Sequence, residues 1–320
     1  MKRYALPTIL ASTLLAQAAS AQSSSTPIIG YYKANVPAGQ SIWGSGFVTK
    51  KNFQGAATSV SAGAALDGQP TTNITVTGQT FTGFTLHYVE LLAPAAVDGR
   101  ILDIVSTSGD TIRVKGTVTG TPTFCVRAHT TIGKLFAGGA GIGPFDDSIT
   151  VFNDDGTSDI AQFDGATWDN PNVIIYPGTG FLISALEPRV LTFGGNDVSY
   201  IKTNQTRVNI YATAEFNLIA PINPLVSTDP NDPIYNTLAR KTPTEFGLAA
   251  LLAPFDDNAF RLDQVGGFEA VAVYQYDGAV VSETSGGPNV VPDYFRVGSA
   301  AIIVPLESSE RILQPTFTTN

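Results

Sequence analysis

The stretch from 144 to 165, PFDDSITVFNDDGTSDIAQFDG, decides the fold, because both of its ends recur later in the chain. Its opening Pro-Phe-Asp-Asp (144–147) is repeated at 254–257. Its closing Gln-Phe-Asp-Gly (162–165) returns at 275–278 as Gln-Tyr-Asp-Gly. Proline, aspartate and glycine at fixed positions mark turns between short strands. The stretch therefore predicts a β-hairpin unit that the chain forms twice.

Two further landmarks flank these motifs in the same order in both places. The apolar segment 132–136 corresponds to 246–250, and the glycine-led strand 178–183 corresponds to 298–303. The offset is 110 residues at the first motif, 113 at the second and 120 at the closing strand. Growing offsets place small insertions in loops. Four matched landmarks in one order predict an internal duplication.

The segments that precede the two modules are weakly similar as well. Tyr32-Lys33 with the strand 41–49 resembles Ile201-Lys202 with 215–219. Each half is then a leader hairpin followed by a module. A meander rich in Thr and Val, at about 56–128, is inserted in the first half only.

These patterns divide the chain into two domains. The first β domain spans 28–190 and contains the inserted meander and module copy one (132–185). The second β domain spans 196–320 and contains module copy two (246–305). Three strands are predicted within the meander, because alternating runs are separated there by turn residues.

Composition favours β structure throughout. Charged residues make up only 14% of the chain, and many short runs of β-branched and aromatic residues are separated by turns. No long stretch has the 3.6-residue apolar period of an amphipathic helix. The predicted fold class is all-β, with two β-sandwich or barrel-like domains and the internal duplication.

The first residues are typical of a secretory signal peptide. Lys2 and Arg3 precede an apolar stretch at 5–16, and Ala19-Ser20-Ala21 is a cleavage motif. We predict a signal peptide at 1–21, a Ser-rich linker at 22–27, and an extracellular, cell-surface or periplasmic location. No later run of 18 apolar residues occurs, so we expect no membrane span in the mature chain.

The chain is acidic, with a formal net charge of −9 that becomes −11 when Lys2 and Arg3 are removed. Such a charge repels phosphate backbones, so we expect no nucleic-acid partner. Cys125 is the only cysteine. An intramolecular disulfide is therefore excluded, and the fold depends on its apolar core.

Several motifs resemble a family of secreted, uncharacterised β-rich proteins typical of Verrucomicrobia and related bacteria. They are the strand pair His87–Glu90 with Gly99–Val105, the segment Thr131–Gly139, and the Pro-Gly-x-Gly-Phe strand at Pro177–Phe181. The second copy departs from the last motif at Arg296–Ala300. The resemblance implies a secreted β-rich protein and carries no activity or site residues.

An acidic loop predicts a calcium site. Asp154, Asp155 and Asp159 cluster beside Asn153, and calcium prefers several oxygen ligands within one loop. The spacing does not match an EF-hand, and the corresponding loop of the second copy retains only Asp263 of these carboxylates. The alternative is an ordinary solvated β-turn.

Trp43 and Trp168 are the candidate ligand-binding residues. Together with nearby tyrosines they could form a flat surface that stacks on sugars, and core packing is the alternative for each ring. Extracellular polysaccharide or other envelope proteins are therefore the predicted partners.

Catalytic motifs are weak. Neither His87 nor His129 has metal-ligand spacing. The pairs Asp146-Asp147 and Asp256-Asp257 suit a repeated turn better than an acid and a nucleophile, because neighbours on a strand point to opposite faces. The sequence predicts a non-catalytic structural or binding module that needs no cofactor other than the candidate calcium ion. The alternative is a secreted glycan-active hydrolase.

Overall fold

A computed structural model of the protein describes residues 31–45, 47–153, 155–194, 206–212, 217–220, 251–262, 270–279, 281–283 and 300–313. Of these residues, 52% lie in strands and 4% in helices, so the predicted all-β character is confirmed. The predicted signal peptide (1–21), the linker (22–27), Asp154 and Asp263 lie outside the described residues.

The described part of the chain contains 22 strands. In order they are β1 (Tyr31–Val36), β2 (Gly39–Gly44), β3 (Lys51–Ala56), β4 (Ser59–Ala62), β5 (Thr71–Thr75), β6 (His87–Ala93), β7 (Ile101–Ser108), β8 (Thr111–Lys115), β9 (Thr123–Ala128), β10 (Thr130–Thr131), β11 (Ser148–Phe152), β12 (Ser158–Gln162), β13 (Ile174–Ile175), β14 (Gly180–Ala185), β15 (Arg189–Gly194), β16 (Thr206–Ile210), β17 (Asn217–Ile219), β18 (Asn258–Leu262), β19 (Ala270–Tyr276), β20 (Val281–Glu283), β21 (Ala301–Val304) and β22 (Ser309–Leu313). The helical elements are α1 (Ile132–Leu135) and a 3-10 turn at Ala137–Gly139. Neither has the length or apolar character that a helix needs to cross a bilayer.

Seven antiparallel strands form a curled half-barrel in the order β3-β9-β6-β7-β8-β5-β4. The three strands predicted within the meander are present as β6, β7 and β8 and are neighbours in that order. Register shifts interrupt the pairing of β3 with β9, of β6 with β9 and of β7 with β8. Bulges of this kind bend a strand and increase its twist, which accounts for the curl.

The half-barrel has its own apolar core. In β8, Ile112 and Val114 are fully buried and Arg113 between them is not, as the two-residue period of a strand requires. Val89 and Phe124 belong to the same cluster. On the other face of the sheet, Glu90 and Arg127 form a buried ion pair, and their neighbour Cys125 is buried as well, with its pKa raised by burial to about 12.

The first of two smaller sheets has the order β12-β11-β14-β2, and β1 pairs with β15 beside it. Its core is aromatic. Phe181 packs edge-to-face on Phe136, and Phe136 packs in the same way on Phe193. These rings close a cluster of buried residues beneath the sheet.

The second smaller sheet has the order β17-β21-β18-β19-β20, and β16 pairs with β22 beside it. In each sheet the central strand that follows a Pro-Phe-Asp-Asp turn lies between a hairpin partner and a later strand. The core of this second sheet contains Tyr274, Leu251 and Ile303.

The two smaller sheets pack against each other through a small apolar interface. Ile42 and Leu182 of the first sheet form one cluster with Leu218 and Ile302 of the second. The backbones approach closely: a Cβ built on Gly44 would overlap the Cβ of Ala220. The amide of Ala220 also donates to the carbonyl of Gly178, at 2.9 Å.

Candidate functional site

A cleft of about 480 Å³ lies where the half-barrel meets the two smaller sheets. Its volume falls in the range of about 300–1,000 Å³ that is usual for small-molecule sites. The charged and aromatic groups that matter for its chemistry are Arg100, Asp103, Lys115, Tyr176, Arg207 and Glu310. They come from the turn between β6 and β7, from β7, β8, β16 and β22, and from the segment before β14, so the cleft exists only in the assembled fold.

Arg207 on β16 fixes one wall of the cleft against the half-barrel. Its backbone amide donates to the carbonyl of Gly99 at 3.0 Å. Its guanidinium donates to the carbonyls of Asp98 and Ala96, at 2.9 and 3.0 Å. These bonds orient the turn between β6 and β7, which carries Arg100 into the cleft.

Glu310 on β22 receives two guanidinium groups. Arg207 donates Nη1–H to its Oε1 at 2.8 Å, and Arg100 donates Nε–H to its Oε2 at 3.1 Å. Burial alone would raise the pKa of Glu310, but the hydrogen bonds from the two arginines outweigh burial, and its pKa is lowered. Glu310 is therefore held as a carboxylate and aligns both arginines.

Asp103 on β7 is the second carboxylate of the cleft. Tyr176 donates its hydroxyl to Asp103 Oδ2 at 2.8 Å, and His129 Nε2 lies 3.1 Å from Oδ1. Burial opposes ionisation, but the hydrogen bonds from His129 and Tyr176 outweigh it, so the pKa of Asp103 is lowered. Both carboxylates of the cleft are thus stabilised as anions.

His129 orients Asp103 from below the cleft surface. Its side chain is only 1% exposed, and its ring packs on Tyr88 and edge-on to Tyr176. A buried imidazole cannot reach a ligand in the cleft. His87 lies elsewhere, between Asn52 and the carbonyl of Thr85.

Asp147 is buried and holds two loops together. It accepts hydrogen bonds from the amides of Gly143 and Leu186, at 2.6 and 2.9 Å, and from Arg189 Nε at 2.8 Å. Burial raises the pKa of Asp147, but these hydrogen bonds together lower it. The neighbouring Asp146 is exposed.

Asp257 is bonded in the same pattern in the second smaller sheet. It accepts from the amides of Ala253 and Leu306, at 2.8 and 3.0 Å, and from Arg311 Nη2 at 2.9 Å. An aspartate that accepts from this many donors anchors the turn. The second aspartate of each Pro-Phe-Asp-Asp motif therefore has the turn role that the sequence favours.

Each of these turns also exposes a phenylalanine. Phe145 is 72% exposed and Phe255 is 73% exposed, and their φ angles are +67° and +65°. A bulky side chain rarely adopts this left-handed backbone conformation. The chain adopts it at the same position of both turns.

No family model, curated protein or solved structure matches the chain. Its own geometry therefore carries every functional argument.

The candidate calcium loop forms a hydrogen-bonded turn in the structure. Asp155 Oδ1 accepts a hydrogen bond from the amide of Thr157 at 2.9 Å. The pKa of Asp155 is lowered, most by the hydrogen bond from the Thr157 hydroxyl and next by that from the Thr157 amide. Asn153 donates to Asp159 Oδ2 at 3.2 Å. Within the described residues no group of three or more His, Cys, Asp or Glu is arranged to hold a metal. With Asp154 outside these residues, the calcium site stays a prediction.

Trp43 and Trp168 lie in the core of the first smaller sheet and not on its surface. They are 4% and 8% exposed. Trp43 donates to Ser41 Oγ at 2.8 Å, and Trp168 donates to the carbonyl of Phe136 at 3.0 Å. Because both rings are enclosed by other aromatics, neither offers a face on which a sugar could stack. The structure therefore places both rings in the core, which is the alternative that the sequence offered.

Sequence reasoning did not identify the residues of the cleft. Arg100 and Glu310 are 210 positions apart, and they meet only because β16 and β22 pack on the turn between β6 and β7. The one local signal was charge. Arg100 and Asp103 are charged residues within an otherwise apolar strand region of the meander.

Proposed function

We propose that the protein is an exported, non-catalytic binding module of the cell envelope or extracellular space, and that it binds a polysaccharide segment in the cleft. The observation that carries this proposal is the cleft itself. It combines hydrogen-bonding side chains with the phenol rings of Tyr176 and Tyr211. Such a combination suits a ligand with many hydroxyl groups, because polar contacts orient it and rings cover its apolar faces.

The chemistry of the cleft favours binding over hydrolysis. A glycosidase needs a carboxylic acid whose pKa is raised, so that it can protonate the leaving oxygen. The pKa values of Asp103 and Glu310 are both lowered. Glu310 also accepts from two arginines, and Asp103 accepts from Tyr176 through Oδ2. These facts support a non-catalytic module over the glycan-active hydrolase.

We further propose the internal duplication as the origin of the two smaller sheets. Leu182 in β14 pairs with the third residue of β11, and Ile302 in β21 pairs with the third residue of β18. Because β11 and β18 are the strands that follow the repeated turn, the register makes Leu182 and Ile302 equivalent. The amides of Phe145 and Phe255 donate to the carbonyls of Phe163 and Tyr276, at 2.8 and 2.7 Å. These matches, with the matched bonds of the two buried aspartates, support the duplication.

On this correspondence the two copies pack like an isologous dimer. Leu182 pairs with a residue of β2 and Ile302 pairs with a residue of β17. Gly44 and Ala220 each lie two residues after that paired residue, so Gly44 corresponds to Ala220. Gly180 corresponds to Ala300 in the same way. Each of these residues contacts its own counterpart, which is the mark of a two-fold axis. The half-barrel is then the insertion in the first copy, and it completes the cleft.

The test is binding of neutral and acidic oligosaccharides to the mature protein, measured by calorimetry, with a variant that fills the cleft. Asn209→Trp places a large ring in the cleft from an exposed position of β16. Thr192→Trp makes the same kind of change at an exposed position of β15. We expect Asn209→Trp to weaken binding at least about tenfold and Thr192→Trp to leave it unchanged. Hydrolysis of the ligand, or equal loss in both variants, would overturn the proposal.

A further inference from the structure

We infer that the saccharide bound in the cleft carries a singly charged carboxylate, as uronic acid residues do. This inference rests on the proposed function and names the ligand class of the same site. Its basis is the set of charges that line the cleft and the hydrogen bonds that those charges have already made.

The cleft has one positive charge in excess. Arg100, Lys115 and Arg207 line it together with the carboxylates of Asp103 and Glu310. Two guanidinium groups share the single carboxylate of Glu310. The cleft is thus locally cationic in a chain whose formal net charge is −9.

Two of the cations in the cleft have hydrogen-bond donors that a ligand can use. Arg207 uses its guanidinium on Glu310 and on the carbonyls of Asp98 and Ala96. Arg100 binds Glu310 through Nε and Nη2 only, within the described residues. Lys115 has an exposed side chain. No hydrogen bond or ion pair of its ammonium occurs in the described part of the chain, although its charge helps to lower the pKa of Asp103. Arg100 Nη1 and Lys115 Nζ are the donors available to a ligand.

The fixed carboxylates of the cleft set the charge of the ligand. A phosphate dianion would bring two negative charges beside Asp103 and Glu310, against one cation in excess. A carboxylate brings one charge and two acceptor oxygens, which matches the excess and forms strong charge-assisted hydrogen bonds. Repulsion from the rest of the acidic chain is screened beyond about 8 Å at physiological ionic strength, so the nearby cations decide.

The experiment compares a trisaccharide that has one terminal glucuronate residue and two neutral residues with the methyl ester of that glucuronate, which has the same skeleton without the charge. We expect the mature protein to bind the acid about tenfold more tightly than the ester, as one charge-assisted contact allows. Lys115→Gln should reduce the affinity for the acid to nearly that for the ester. Lys51→Gln is the matched control, since Lys51 bonds Gln54 on β3 and does not line the cleft.

The outcomes separate this inference from the proposed function. Equal binding of acid and ester by the wild type would overturn the carboxylate and leave the saccharide-binding cleft in place. Binding of neither, with other oligosaccharides also inactive, would overturn both. Tighter binding of a sulfated trisaccharide than of the uronate would assign the charge to a sulfate ester and overturn the carboxylate. Equal effects of the two lysine variants would show that long-range charge, and not the cleft, selects the acid.

Discussion

The residues Phe145 and Phe255 show how the chain tolerates local strain twice. Each lies at a positive φ with its ring mostly in solvent. Neither the backbone conformation nor the ring position stabilises the fold. Three hydrogen bonds to the buried aspartate two residues later hold each turn in place, so tertiary structure overrides the preference of the residue.

Replacing Phe145 by Asn should therefore not destabilise the protein. Asparagine adopts positive φ more readily, and relief of strain should raise the free energy of unfolding by up to about 1 kcal/mol. Urea denaturation measures this change. Ile160→Asn is the control, because Ile160 is also exposed but lies in β12, where asparagine is unfavourable. A loss of more than about 1 kcal/mol in Phe145→Asn would contradict the strain argument.

Asp147 should make stability depend on pH. Its pKa is lowered in the folded protein, so its contribution is present above the unfolded value of about 3.9 and is lost as pH falls through the folded value. Asp147→Asn should lose about 3 kcal/mol at neutral pH, because the NH2 group that replaces Oδ2 cannot accept from Arg189 Nε and the Gly143 amide. The variant should also show a weaker fall in stability below pH 4.

The exposed neighbour Asp146 provides the matched control for that experiment. Asp146→Asn removes the same charge one residue away, and its melting temperature should stay close to that of the wild type at pH 7. Similar losses in the two variants would mean that net charge, and not the buried anchor, determines the effect.

At the scale of elements, alternation and turn residues predicted the meander well. The order of β6, β7 and β8 follows from short alternating runs joined by tight turns, and such contacts are local. The register shifts that bend the half-barrel could not be predicted, because no sequence signal marks them. The sequence left the burial of Trp43 and Trp168 open between core packing and an exposed surface, because an aromatic residue in β structure suits either face until the opposite layer is known.

The contact of β2 with the second smaller sheet gives an element-scale prediction. Gly44→Ala should cost about 1–3 kcal/mol, because its new methyl group overlaps Ala220. Gly44 has no positive φ, so the cost is not one of backbone strain. The double variant Gly44→Ala with Ala220→Gly should recover most of the loss, since one methyl group is exchanged for the other.

Urea denaturation of the two single variants and the double variant forms a double-mutant cycle. Additive losses would show that the two positions do not touch. A coupling energy of at least about 1 kcal/mol would locate the contact that packs the two sheets together.

At the scale of the whole molecule, the cleft could not be predicted from the sequence, because its parts come from the half-barrel, from β16 and β22 and from the segment before β14. Charge and composition predict only which ligands we expect the protein to avoid. They could not predict where Arg100 and Arg207 meet Glu310, since that contact depends on long-range packing and not on any local pattern.

The export prediction also belongs to this scale. We expect the mature chain to begin at Gln22, because cleavage follows Ala19-Ser20-Ala21. Mass spectrometry of protein exported by a bacterial host, with the unexported fraction as control, measures the first residue. Recovery of exported chains that retain Met1 would contradict the signal peptide.

The glycines and alanines at the contact of the two sheets bear on which sheets of neighbouring chains can associate while the chains fold. Each matched pair has room for a single methyl group, and the first half supplies the glycines while the second supplies the alanines. Two first halves would leave a gap, and two second halves would collide. On the proposed duplication, each half thus fits its companion better than a copy of itself, which disfavours association of like halves when many chains fold close together.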